Sequence, residues 1–308
     1  MALNVVCCIS NPCAYKRRYD LALFFFQKMK REPLVRLFVV ELCYGSQDFQ
    51  VTSADNPAHL QVRAGLNEVL WHKENLINMG VHKLLPEDWQ SFAWIDADVE
   101  FLEPSWVQET IQRLQTHGVV QLFTHALDLD ARGNTMQVFS SFCYRLVEHN
   151  LEFAEGPQNY PHPGFAWAMR REAFMKAGGL YDLSIQGSGD HNMAMAWAGK
   201  GAASLNDRVQ RGYKESLAKF EAKCRGFRLG YVPGVLKHFF HGSKKNRRYN
   251  DRWQILVEHA YEPWTDLLLR PDGLLVPASG CPPKLLEDIF AYFAQRNEDE
   301  GLKEALAI

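Results

Sequence analysis

Over its first ninety-five residues the chain alternates apolar strand-like runs with helical apolar spacing, and that alternation leaves few folds open to it. Leu3 to Ser10 reads as a buried strand ending at Asn11-Pro12, and Tyr19 to Lys30 repeats apolar residues at helical spacing. Leu34 to Leu42 gives a second strand, Ala64 to Met79 a helix stopped at Gly80, and Ser91 to Ile95 a third strand. Strands separated by helices pair in parallel, so the expectation is a βαβαβ unit of the nucleotide-binding kind.

Beyond this unit the pattern changes. The sequence predicts a helix over Pro104 to Gln115, a strand over Val119 to His125, a surface loop around Gly156 to Gly164, and a helix over Arg171 to Ala177 stopped by Gly178-Gly179. A Gly-rich turn, Gln186-Gly187-Ser188-Gly189, then leads into a helix from Asp190, and Leu229 to Val235 is another strand, so the sheet is expected to be mixed. The tail from Ala260 to Ile308 contains turn signals at Pro271-Asp272-Gly273 and Gly280-Cys281-Pro282-Pro283, followed by a helix over Lys284 to Asn297. One catalytic domain over 1–259 with a small helical extension over 260–308 fits the length better than two independent domains.

The composition of these 308 residues, 47% hydrophobic and 23% charged, excludes disordered and collagen-like chains. Lys plus Arg number 34 against 36 Asp plus Glu, so there is no sequence-wide pull toward nucleic acid or an anionic membrane. The apolar stretches Leu21 to Phe26 and Leu34 to Val40 fall far short of the roughly 20 residues that span a bilayer. Met1-Ala2-Leu3-Asn4 lacks a basic leader, and the seven cysteines are an odd number set mostly in apolar runs, so a reducing, cytoplasmic setting is expected. Cys7, Cys8 and Cys13 are not followed by a second pair at zinc-finger spacing, which argues against structural zinc.

Three segments could carry chemistry. Trp94-Ile95-Asp96-Ala97-Asp98-Val99 places two carboxylates at the end of an apolar strand, where a pleat would send both to one ligand and hard oxygens would suit Mg²⁺ or Mn²⁺; a solvated turn is the plain alternative. Leu236 to Tyr249 holds His238 and His241 beside the basic residues Lys244, Lys245, Arg247 and Arg248, which could complete a metal site and grip phosphate, or form an exposed basic loop. Gly187-Ser188-Gly189-Asp190-His191 delivers a carboxylate at a helix start, either as an N-cap or as a base for an attacking hydroxyl.

In their order along the chain these segments resemble the GT-A class of nucleotide-sugar glycosyltransferases. His72 to Gly80 followed by Phe92 to Asp98 looks like the stretch leading into the DxD motif of β1,4-galactosyltransferases. Pro163 to Ala168 and Gly178-Gly179-Leu180-Tyr181-Asp182 through Asp190 look like acceptor-side segments of that family and of family 2 enzymes. The resemblance implies a Rossmann-like mixed α/β sheet flanked by helices and a metal-dependent, inverting transfer from a nucleotide-sugar, UDP-sugar favoured, to a glycan or glycoconjugate hydroxyl.

Residue by residue, the resemblance makes Asp98 a ligand of Mn²⁺ or Mg²⁺, Asp96 a contact to ribose or to the metal, and His238 or His241, with a lean to His241, the further ligand. It puts Ser10, Glu41 and Lys73 on the nucleotide, Lys244 and Arg247 on the diphosphate, Asp190 in place as base, and Trp167, Gly189 and His191 on the acceptor. Core packing is an equal reading of Trp167. The chain departs from the family in Lys73, where the galactosyltransferases carry Arg, and in Gly189-Asp190-His191, where they carry an acidic run. A sugar-1-phosphate nucleotidyltransferase is the competing enzyme, but Ser10 to Arg18 lacks that class's Gly-rich loop. A non-catalytic carbohydrate-binding protein on the same fold would have been free to lose Asp98, Asp190 and the histidines together.

Overall fold

The computed structural model describes residues 2–149, 161–249 and 251–302. Strand β1 (Leu3–Ser10) is followed by helix α1 (Lys16–Arg31), β2 (Val35–Tyr44), β3 (His59–Ala64), α2 (Lys73–Leu84), β4 (Ser91–Ile95), β5 (Val99–Phe101), α3 (Trp106–Arg113) and β6 (Val119–Gln121). Then come β7 (His125–Leu129), β8 (Thr135–Ser140), α4 (Phe142–His149), β9 (Ala166–Arg170), α5 (Arg171–Ala177), α6 (Gly189–Trp197) and α7 (Arg211–Cys224). The chain continues through β10 (Leu229–Tyr231), β11 (Val235–His238), α8 (Gln254–Glu258), α9 (Pro263–Asp266), the hairpin β12 (Leu267–Leu269) and β13 (Leu275–Pro277), and α10 (Pro283–Gln295).

The main sheet has seven strands in the order β10-β6-β9-β4-β1-β2-β3. It is mixed, as expected: β9 runs antiparallel between β4 and β6, while β1, β2, β3 and β4 pair in parallel. Along β1 the pleat divides the core. Leu3, Val5, Cys7 and Ile9 pack toward α1 and α3, and Val6 packs on the opposite face with α2, α5, α6 and α7. Apolar residues on both faces are what a strand covered on both sides requires.

Four expectations are corrected. The helix read over Ala64 to Met79 is β3, a short 3₁₀ turn and then α2, which runs through Gly80 without stopping. Gly80 is there for contact: a Cβ would come within 2.7 Å of Val6 and 2.9 Å of Val40, so its absence lets α2 lie close on β1 and β2. The apolar runs Val119 to His125 and Leu229 to Val235 are each two strands, because the chain leaves the main sheet at Gln121 and Tyr231 and enters a smaller sheet, β5-β11-β7-β8. β9, in the middle of the main sheet, was not anticipated. Of the loop expected around Gly156 to Gly164, residues 156–160 lie outside the described residues.

The piece from residue 260 holds α9, the β12–β13 hairpin and α10. Leu285, Ile289 and Tyr292 of α10 lie in the same core as Tyr213 and Leu256. Among the described residues, no helix is long and apolar enough to cross a membrane.

Candidate functional site

A cavity of about 1550 Å³ opens at the carboxyl ends of β1 and β4. Its walls include Ser10, Lys73, Asp96, Asp98, Asp190, His191, His238, His241, Lys244 and Arg247. This is where the ligands of open α/β sheets gather, beyond the carboxyl ends of the strands.

Asp96-Ala97-Asp98 is a turn between β4 and β5, not a continuation of the strand, so the two carboxylates take different partners. Asp96 is ion-paired with the Lys73 ammonium, which stands on the first residue of α2. Burial works against the charge on Lys73, and Asp96, Asp190 and Glu74 restore it and raise its pKa. Asp98 faces the other way. Its Oδ2 lies 2.8 Å from His241 Nε2 and 3.8 Å from His238 Nε2, and the two Nε2 atoms are 3.2 Å apart. Burial would raise the Asp98 carboxyl, but the two imidazoles hold it well below the usual carboxylate range.

The residues fit a divalent cation. Asp98, His238 and His241 each turn one ligand atom into a space where all three lie within 4.8 Å of one another. Asp98 Oδ1 is buried and has no hydrogen-bond partner, an unmet acceptor of the kind a cation satisfies. A mixed imidazole and carboxylate set suits Mn²⁺ and its neighbours. Both histidines belong to the triad, while Asp96 does not.

Asp190 is the second residue of α6, whose N-cap is Ser188, so it does not cap the helix. Its Oδ1 accepts the His191 N–H at 2.8 Å, and its Oδ2 lies against Gly164, where a Cβ would come within 2.6 Å. Burial would raise its pKa, but Lys73 and Arg252 keep the carboxyl below its ordinary value, ready as an anion. Lys244 pairs with Asp128 at 2.5 Å and Gln137 at 2.7 Å, and an Arg247 terminal nitrogen lies 2.9 Å from the His241 ring nitrogens. Ser10 Oγ shares a hydrogen bond with the Tyr44 hydroxyl at 2.9 Å.

Three residues expected at the ligand lie off the cavity wall. Glu41 is fully buried and lies outside the cavity wall. Its carboxylate accepts the backbone N–H groups of Gln50, Val51 and Thr52 and the Thr52 hydroxyl, and so clamps a loop. Trp167 is a core residue: it stacks on Trp94, meets Trp197 edge-on, and donates its indole N–H to the Pro163 carbonyl at 2.8 Å. Gly189 also stays off the wall, pressed against Glu74, whose carboxylate would meet a Cβ there at 2.5 Å.

The sequence reading missed several wall residues. His162 is stacked flat on Phe165, and burial lowers its pKa to about 4, so it is a neutral imidazole. Arg252 donates to the Ser188 hydroxyl at 2.5 Å and to the Tyr292 hydroxyl at 3.1 Å. Arg18 and Arg296 face the cavity while gripping Glu298. Only His162 had a local signal, its place beside Pro163-Gly164.

Fold and site together describe an α/β protein with a cation-ready triad and a facing carboxylate in one cavity. No protein-family model and no curated protein matches the chain. Among solved structures it is similar to the catalytic domain of Drosophila β1,4-galactosyltransferase 7 in complex with xylobiose, at 10% identity and a TM-score of 0.42, covering 94% of this chain and 98% of that one. It is also similar to residues 1–349 of S. aureus TarS, at 11% identity and a TM-score of 0.40, covering 99% and 92%. A third is M. tuberculosis glucosyl-3-phosphoglycerate synthase, at 13% identity and a TM-score of 0.37, covering 84% and 77%. Likenesses of this size say nothing about activity.

Proposed function

We propose that the protein is a metal-dependent glycosyltransferase that moves a sugar from a nucleotide-sugar, UDP-sugar favoured, to a hydroxyl of a glycan or glycoconjugate with inversion. The observation that carries this reading is the Asp98–His238–His241 triad on the same cavity wall as the ionised Asp190. Asp98, His238 and His241 would hold Mn²⁺ or Mg²⁺, which when bound supplies Lewis-acid stabilisation of a leaving diphosphate. Lys244 and Arg247 face the same side and oppose the developing negative charge. Asp190 Oδ2 accepts the proton of the acceptor hydroxyl as that oxygen attacks, and His191 lies beside it on the acceptor side. Lys73 keeps Asp96 and Asp190 ionised.

The test is a thermal-shift series with UDP, GDP, CMP, dTDP and their sugars, with and without Mn²⁺, because a ligand of the native state raises its apparent stability. A metal-dependent shift with one nucleotide is expected, lost in Asp98→Ala. Asp190→Asn should keep that shift and lose transfer by about 10² to 10⁴. No shift with any nucleotide in the folded protein would sink the reading. Pyrophosphate release from a nucleoside triphosphate and a sugar 1-phosphate would replace it with a nucleotidyltransferase.

A further inference from the structure

Behind each histidine of the triad stands a buried carboxylate. His238 Nδ1 lies 2.6 Å from Asp128 Oδ1, and His241 Nδ1 lies 3.5 Å from Glu298 Oε2. Asp128 is 3% exposed and Glu298 is 1% exposed. In both cases the imidazole presents Nδ1 to the carboxylate and Nε2 to Asp98. At His238 this hydrogen bond fixes the proton on Nδ1, leaves the Nε2 lone pair facing the cation position and prevents the ring from turning away. At His241 the longer Glu298 contact is shared with Arg247, whose terminal nitrogen lies 2.9 Å from the same Nδ1, and together they hold the ring's orientation.

The two carboxylates reach the site from distant parts of the chain. Asp128 lies on β7 directly opposite His238 on β11, as partners in the parallel register. Its second oxygen pairs with Lys244 at 2.5 Å. Glu298 follows α10 and is gripped by Arg18 at 2.5 and 2.8 Å and by Arg296 at 2.8 Å. Next to it, Asp299 accepts the Lys16 and Arg17 backbone N–H groups at 3.1 and 2.8 Å and ties the tail to the start of α1. Gly242, with φ of +90°, passes so close to this tail that a Cβ would come within 2.8 Å of the Arg296 carbonyl. Each carboxylate therefore joins one imidazole to a cation that lines the same cavity.

We infer that Asp128 and Glu298 are positioning residues of a divalent-cation site, each orienting one histidine from behind and coupling it to the cationic wall. This deepens the reading above and rests on its metal site. The C-terminal residues around 298 then belong to the site as much as the strand ends do. A plain scaffolding role would lower stability in the variants and leave the folded protein's affinity for metal unchanged.

The test is a Mn²⁺ titration of the full chain without nucleotide, with free Mn²⁺ read by its electron paramagnetic resonance signal and folding checked by circular dichroism. Asp128→Ala and Glu298→Gln are each expected to weaken Mn²⁺ binding about 10- to 100-fold in folded protein. A variant that does not fold is replaced by Asp128→Glu or Glu298→Asp, which keep the charge and shift the carboxylate by one methylene, under a tenfold criterion. If folded variants bind Mn²⁺ like the wild type, the inference fails and the transferase reading stands. If the wild type binds no Mn²⁺, both fail.

Discussion

Lys73 at the first position of α2 is ion-paired with Asp96 at the end of β4, and the same ammonium also offsets Asp190 and Glu74. A lysine at a helix N-terminus works against the helix dipole, so its place is explained by the acids around it. Lys73→Met should leave Asp96 and Asp190 in a confined wall without their counter-charge. We expect a loss of about 1–3 kcal/mol, between that of a surface pair and that of a fully buried one because both side chains are partly exposed, read as a lower urea midpoint at pH 7. A midpoint equal to the wild type's would show that the acids do not depend on Lys73.

Glu74 and His72, neighbours at the start of α2, should tilt stability with pH in opposite directions, offsetting each other between pH 4.5 and 6.5 and leaving a net fall from 6.5 to 8. Burial pushes Glu74 up from 4.5 to about 8, with Lys73 opposing. The folded protein then holds a proton that the unfolded chain has already released, so stability declines as pH rises from 4.5 to 8, by about 1.4 kcal/mol per unit at most. Burial lowers His72 from 6.5 to about 4, so its contribution is full above 6.5 and is lost as pH falls through 4. Urea unfolding across this range should show Glu74→Gln flattening the fall from 6.5 to 8 and His72→Gln exposing it already from 4.5. Superimposed curves for variant and wild type would refute the assignment.

Gly80→Ala should destabilise, although alanine is the better helix former by about 1 kcal/mol. The added methyl meets Val6 and Val40 side chains at 2.7 and 2.9 Å, and overpacking of that kind costs about 1–3 kcal/mol. A melting temperature at or above the wild type's would mean that the sheet yields more easily than its packing suggests.

Glu41 gives a prediction that separates packing from ligand binding. Its carboxylate holds the backbone of residues 50–52 from inside the fold. Glu41→Ala should cost at least about 1–3 kcal/mol for the donors left unpaired, while a nucleotide's thermal shift stays the same in size. A lost shift at preserved stability would return Glu41 to the nucleotide.

What the sequence made legible was local. Ser91 to Ile95 is the strand expected, and the acids that follow it line the cavity, because a buried parallel strand declares itself by an unbroken apolar run and its carboxyl end faces ligand by topology. The same rule misled at Val119 to His125 and Leu229 to Val235, since an apolar run continues while the chain changes sheets. Gly80 looked like a stop because a glycine that admits a neighbouring sheet reads the same as one that ends a helix. Asp128 and Glu298 left no trace near the histidines. One is set by strand register and the other by a tail nearly sixty residues further on.

The passage between the two sheets has a consequence for which lengths of chain can change. Thr124 and Gly234 are bonded to each other where their strands cross over, through the Thr124 hydroxyl and N–H to the Gly234 carbonyl at 2.7 and 2.8 Å. From that joint the chain advances four residues on each side, to Asp128 and to His238, which then stand opposite each other. The two strands are counted from a common origin. A deletion of one residue in either stretch would reverse the parity of the pleat and turn the imidazole or its carboxylate to the other face. The hairpin tip at Asp130 to Asn134, beyond the counted stretch, is where this part of the chain can gain or lose residues without disturbing the cation position.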